Sequence, residues 1–415
     1  MTANSVLARE FSYLSRKAKI HPTDIASHAM RSCRLFFAQR QLDAESRRNA
    51  VNSGYIAHFG VHLTGDNAGD VVLYDAVQRL FQSFDSDCLF RSLLLRKEVD
   101  SELINTLNEN ARAVVIGGGG LIFPIDSALT RSGWQWNITQ STLETVQIPL
   151  VLFAVGVNSF RGQMGFAPES LHHLYTTGKK ASFIGLRNSG SIRKLQAMLP
   201  DLDRSKIFWQ PCPTTILNFF TEIPPNMPKS ASTIAVNTVI DKAELRFEGR
   251  TREVLDSVAD ACSRLAANGH QIVIVTHAET DDSIIPFLKR RKTKYKVKRL
   301  ERCLASEVIN FYSQVDLTLG MRGHAQMIPF GCGNAILSIK SHDKLGFFLD
   351  DIGHPEWGVE ALEADLATRL VTLSEHLIND LGTVKQKVSA ARQKLWDLTS
   401  QNMESIGAIL SRSQE

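Results

Sequence analysis

The feature that most constrains this chain is a pattern that repeats. A short, wholly apolar run leads into a loop of glycine and small polar residues, and then into a stretch with apolar residues at helical spacing. It starts at Tyr55–Val61, passes through the polar loop His62–Gly69, and enters a helix that places Val71, Val72, Ala76, Val77, Leu80 and Phe81 on one face. Ala113–Ile116, Pro149–Val155 and Phe183–Leu186 repeat the apolar run. Runs this short, alternating with helices, predict a parallel sheet covered on both faces. The pattern pauses at the proline-rich Ile223–Ser230 and restarts with Thr233–Val236, Gln271–Thr276, Val315–Leu319 and Ala335–Ile339. Arg252–Ala267 reads as an amphipathic helix closed by Asn268-Gly269.

A chain of 415 residues exceeds what one core usually fills. The expectation is therefore α/β, with two Rossmann-like, doubly wound domains facing each other across a cleft. In numbers this gives a helical N-terminal extension at 1–50, a first domain at 51–225, a second at 226–360, and C-terminal helices at 361–415 packing across both. Sheets of this kind bind ligands beyond the carboxyl ends of their strands, and paired sheets bind them in the cleft.

Composition removes several classes. A net charge of +4 is too small to argue for nucleic acid. Six scattered cysteines without a CxxC pair argue against a zinc cage or a disulfide framework, and suit a reducing compartment. The longest apolar run, Ile148–Val157, is about half a membrane span. The N-terminus has no signal-peptide core, and its Arg/Ser richness is offset by Glu10, Asp24, Asp43 and Glu45, so a cytoplasmic location is expected. The basic run Lys289–Arg299 reads first as a solvated face. Its second reading is peripheral contact with an anionic membrane at the inner face. Only Tyr295 interleaves an aromatic ring, which argues against single-stranded nucleic acid.

Five clusters carry chemistry, each at a predicted strand end. Gly65-Asp66-Asn67-Ala68-Gly69-Asp70 supplies close backbone approach, a reaching amide in Asn67, and a helix cap in Asp70. Gly117–Gly120 suggests flat approach to a ligand, with Gly118 and Gly119 at its centre, but it matches neither a dinucleotide fingerprint nor a P-loop. Arg187, before the Asn188-Ser189 helix start, suits an anion. Arg322-Gly323-His324-Ala325 pairs a forked cation with a group that moves protons near neutrality. Lys344, with Lys340 as its competitor, offers a point charge, and His277 with Asp281 forms a further strand-end pair.

In this order the clusters resemble the polysaccharide pyruvyl transferase family, over residues 55–355. The matching elements are Asn67-Ala-Gly-Asp70, Gly117–Gly120, Arg187 with Ser191, His277 with Asp281, Arg322-Gly-His324-Ala325, and Lys344. The chain departs from the family at Gly323, where Leu or Met is usual, and at Gln210-Pro211-Cys212-Pro213, where Asp-Pro is usual. The resemblance implies a GT-B-like fold, phosphoenolpyruvate as donor, a saccharide acceptor such as a lipid-linked sugar, and no metal or other cofactor. In these terms Arg187, Arg322 and Lys344 hold the donor's anionic groups. His324 moves the proton, Asp70 or Asn67 serves the acceptor, and Gly118, Gly119 and His277 line the substrate site. The alternatives are a nucleotide-sugar glycosyltransferase of the same architecture, with Glu356 or Glu360 on the ribose, and a sugar-binding relative without activity.

Overall fold

The computed structural model describes residues 54–61 and 66–412 apart from 127, 161 and 164, together with scattered helical positions between 30 and 48. The rest of the expected 1–50 extension, and residues 62–65 of the first glycine loop, lie outside the described residues.

Among the described residues there are two parallel six-stranded sheets. The first holds β1 (Tyr55–Gly60), β2 (Phe90–Leu94), β3 (Ala111–Ile122), β4 (Leu150–Val157), β5 (Ala181–Leu186) and β6 (Ile207–Trp209), in the order β2-β1-β3-β4-β5-β6. The second holds β7 (Thr233–Asn237), β8 (Gln271–Thr276), β9 (Lys296–Arg299), β10 (Leu317–Gly320), β11 (Ala335–Lys340) and β12 (Gly358–Glu360), in the order β12-β11-β10-β7-β8-β9. The eight inner strands are the eight apolar runs read from the sequence. The four outer ones, β2, β6, β9 and β12, carry no such run. The basic stretch ends in β9, and its arginines are paired: Arg290 and Arg291 with Asp256, and Arg299 with Asp282.

The helix Ala68–Phe84 buries two faces rather than the single one expected. Leu73, Val77, Leu80 and Phe81 join the core that includes Val115 and Phe153 of the first sheet. Ala68, Val72 and Ala76 instead join Val308, Tyr312 and Ile328 of the second unit. The two lobes therefore share this helix. They are also bridged by the long helix Leu381–Arg412. Its Trp396 stacks on Phe219 and tilts against Phe84. Its Asn402 donates to the Trp209 carbonyl, and its Arg392 to the Gly331 carbonyl. Among the described residues no helix is long and apolar enough to cross a membrane.

Candidate active site between the two sheets

The carboxyl ends of both sheets open onto a cavity of about 720 Å³. Each lining cation arrives on the loop after a strand. Arg187 follows β5 and Arg322 follows β10. Lys344 stands in the first turn of the helix Asp343–Asp351 after β11. That helix is capped by His342, whose Nδ1 accepts from the Lys344 amide at 3.2 Å.

The cations differ in how far they are already engaged. Arg322 lies against Asp281, with three N–H···O contacts of 2.6–2.9 Å, and its Nη2 is also 2.8 Å from Asp241. Burial opposes its charge, but Asp281 and Asp241 outweigh that and raise its pKa. Arg187 is different. It is buried, and its Nε and Nη2 have no hydrogen-bond partner. Its side chain lies over Gly156, where any Cβ would collide with the guanidinium. Lys344 donates to Asn158 Oδ1 at 3.2 Å, and no carboxylate among the described residues forms an ion pair with it, Asp241 acting on it only from a distance. Burial drives its pKa well down, and Arg187 and Arg246 push it further. A buried guanidinium and a half-buried ammonium, neither in an ion pair with a carboxylate among the described residues, face one cavity. That arrangement is electrostatically costly until an anion enters. Lys340, the competitor, is taken by Glu360 at 2.9 Å.

Beside them stands the residue expected to handle a proton. His324 opens the helix His324–Gly331 on the second lobe, while Asp70 sits in the first turn of Ala68–Phe84 on the first. The His324 Nδ1 is 3.8 Å from Asp70 Oδ1, and its Nε2 is 3.9 Å from the buried Cys212 thiol. Burial pulls the His324 pKa well below its usual value, with Arg187, His277 and Lys344 adding to it. Burial raises the Asp70 carboxyl to about 6, against the pull of Arg322 and Lys344. Gly69 makes this approach feasible, because a Cβ there would sit 2.5 Å from His324 Cβ. The glycine in the Asn67–Asp70 turn thus makes room for a side chain of the other lobe, and Asn67, rather than the expected Asp70, caps the helix by accepting from the Gly69 amide.

The structure brings Asn67, Asp70, Gly119, Arg187, His277, Arg322, His324 and Lys344 to this one cavity. It does not bring Gly118. The four glycines are not a loop after a strand but part of β3 itself, and alternation turns Gly118 inward against Leu73, 2.8 Å from where its Cβ would be. Gly117 and Gly120 are likewise packed, against Phe153 and Asn158. Gly119 has φ +112° and Gly120 lines the cavity in place of Gly118. His277 is fully buried, donor or acceptor to Tyr312 Oη at 2.7 Å, and burial lowers its pKa to about 3. Its carbonyl accepts from the Ala68 amide, a contact between the lobes. Asp316 lies before β10 rather than within the strand, and accepts from the Thr233 amide. Glu356 pairs with His354 and Glu360 with Lys340, and neither lines this cavity.

Sequence reasoning passed over several lining residues. Arg246 donates to the Asp241 carbonyl and to Ser341, and lies 5.0 Å from the Phe160 ring. Lys242, at φ +52°, holds its Nζ over both Phe123 and Phe160. The stretch Asp241–Arg246 has the composition of an ordinary exposed turn, and only the fold aims it inward.

Two facing α/β units with parallel sheets, and a polar cavity at the strand ends between them, define a GT-B-like fold. Solved structures of that fold superpose over most of the chain. The UDP-GlcNAc 2-epimerase of Neisseria meningitidis bound to UDP-GlcNAc matches at TM-score 0.51 and 10% identity, covering 85% of this chain and 99% of that one. The UDP-GlcNAc 2-epimerase of Methanocaldococcus jannaschii matches at 0.50 and 11%, covering 79% and 93%. At such identity the likeness is one of fold. A search of curated proteins returned no match. The family is given by sequence: the model described as polysaccharide pyruvyl transferase matches residues 67–333, and the chain belongs to that family of transferases.

Proposed function

We propose that this enzyme moves the pyruvyl group of phosphoenolpyruvate onto two hydroxyls of a saccharide, forming a cyclic ketal and releasing phosphate. The observation that carries this reading is the pair of cations without a carboxylate ion-pair partner, the buried Arg187 and the half-buried Lys344, lining the same cavity as His324 and Asp70. A small anion with a carboxylate beside a phosphate satisfies both cations, and Arg246 and Arg322 add positive potential.

In the reaction, one sugar oxygen bonds to C2 of the enol and a proton reaches the methylene carbon, which becomes the methyl group. The C2–O bond to phosphate then breaks, and the second sugar oxygen closes the ketal. Two hydroxyl protons are released. One balances the new methyl C–H, and the other leaves on phosphate. His324 is neutral in the empty site, so it accepts a proton from the sugar hydroxyl. The donor's negative charge offsets Arg187 and Lys344, two of the groups that depress the His324 pKa, and so helps the imidazole carry that proton to the carbon. Asp70, on the opposite lip with its Oδ1 3.8 Å from Nδ1, favours the protonated imidazole by its charge.

Phosphate release from phosphoenolpyruvate, measured against a panel of sugars, tests the reading. His324→Ala should lower turnover by roughly 10²–10⁴ while the melting temperature holds. Stabilisation by a nucleoside diphosphate and not by phosphoenolpyruvate would replace the proposal with nucleotide-sugar transfer.

A further inference from the structure

A second cavity of about 830 Å³ adjoins the first, beyond the carboxyl end of β11. Phe160 and Arg246 line both. The two spaces differ in charge. The first is walled by cations. The second carries Glu244, Glu248, Asp343, Asp350, Glu360 and Glu363, against Lys340 and the shared Arg246. Lys340 is spent on Glu360. A phosphate or diphosphate would meet net negative potential there. Neutral hydroxyls would not, and carboxylates accept hydrogen bonds from them.

A second observation is independent of that acidity. His342 lines this cavity and is only 9% exposed. Its Nδ1 accepts from the Lys344 amide, so the ring hydrogen is on Nε2, and Nε2 has no hydrogen-bond partner. The Phe160 ring stands edge-on to it at 4.3 Å between centroids. An aromatic ring at the junction, an unused ring N–H behind it and carboxylates beyond it are the complement of a sugar chain, with apolar C–H faces and hydroxyl edges.

We infer that the second cavity holds the further rings of the acceptor, which is a saccharide of at least two rings running past Phe160 from the site of transfer. The position of the first ring rests on the pyruvyl-transfer reading. The existence of a saccharide cavity does not.

Gly346 supplies the test. It lines the second cavity and not the first, and a Cβ there would meet only Lys340 Cδ, at 4.0 Å. Gly346→Trp therefore fills the space, and Gly346→Ala is its size control. The full chain is titrated calorimetrically with glucose, cellobiose and cellotriose, and with galactose and lactose, so turnover is not needed. Two- and three-ring sugars should bind at least tenfold more tightly than the single ring. That step should vanish in Gly346→Trp and persist in Gly346→Ala. Equal affinity for one and three rings, no binding by any of these sugars, or a step that survives Gly346→Trp would overturn the inference. Melting curves with phosphoenolpyruvate are read alongside. If phosphoenolpyruvate gives no stabilisation of the wild type while the length step holds, the pyruvyl reading falls and the saccharide cavity stands.

Discussion

Replacing Gly69 with Ala sets two effects of similar size against each other. Gly69 is in the first turn of the helix Ala68–Phe84, where alanine is the better helix former by up to ~1 kcal/mol. The added methyl, however, would sit 2.5 Å from His324 Cβ and 2.6 Å from its Nδ1. Carbon contacts are comfortable at about 3.5 Å, so the two lobes must part locally by about 1 Å. Overpacking of that kind costs ~1–3 kcal/mol. The net is a destabilisation of ~0–3 kcal/mol, or a melting shift of a few degrees. Displacing a reacting group by 1 Å costs about 10²-fold in rate. The expected signature is therefore a large loss of phosphate release from phosphoenolpyruvate with a nearly native melting curve. Activity within about threefold of wild type, at unchanged melting temperature, would refute the reasoning, because His324 would then not be held against this turn in the working enzyme.

Asp70→Asn should stabilise the fold at alkaline pH. The folded carboxyl is raised to about 6 from 3.8, so the folded state holds its proton more tightly than the unfolded chain, and the ionised form is the destabilising one. The penalty is full above about pH 6 and gone below about pH 4. Two pH units correspond to at most ~3 kcal/mol, and the 32% exposure of the side chain reduces this to about 1–2. A gap in melting temperature that is the same at pH 4 and pH 8 would rule this out. Lys344→Met removes a cation whose pKa is lowered by burial and by Arg187, so the folded state sheds its proton more readily than the unfolded chain. The charged form then destabilises the fold at neutral pH. The variant should melt higher yet lose stabilisation by phosphoenolpyruvate, and a stabilisation retained at wild-type strength would remove Lys344 from the donor site.

The sequence made the eight inner strands visible because both their faces are covered, which leaves an unbroken apolar run. The outer strands each have one open flank and a mixed composition, as in the exposed Lys296 and Val297 of β9, so they leave no such trace. Strand-end position was enough to gather Arg187, His324 and Lys344 into one candidate site. What it could not give was the division of labour among the cations. That division depends on which carboxylate each one meets, and Asp281 meets Arg322 from a segment 41 residues away. Gly118 was misassigned for a related reason. A glycine that admits a neighbouring side chain and a glycine that admits a ligand look alike until the neighbour, here Leu73, is placed.

The helix Ala68–Phe84 belongs to both hydrophobic cores at once, and Asp70 rides on it while His324 comes from the far side. Swinging the halves apart there would wet Ala68, Val72 and Ala76 and break up the acid–base couple in the same movement. On the proposed mechanism, competence for proton transfer is tied to the closed arrangement, and neither half of the polypeptide would carry the reaction alone.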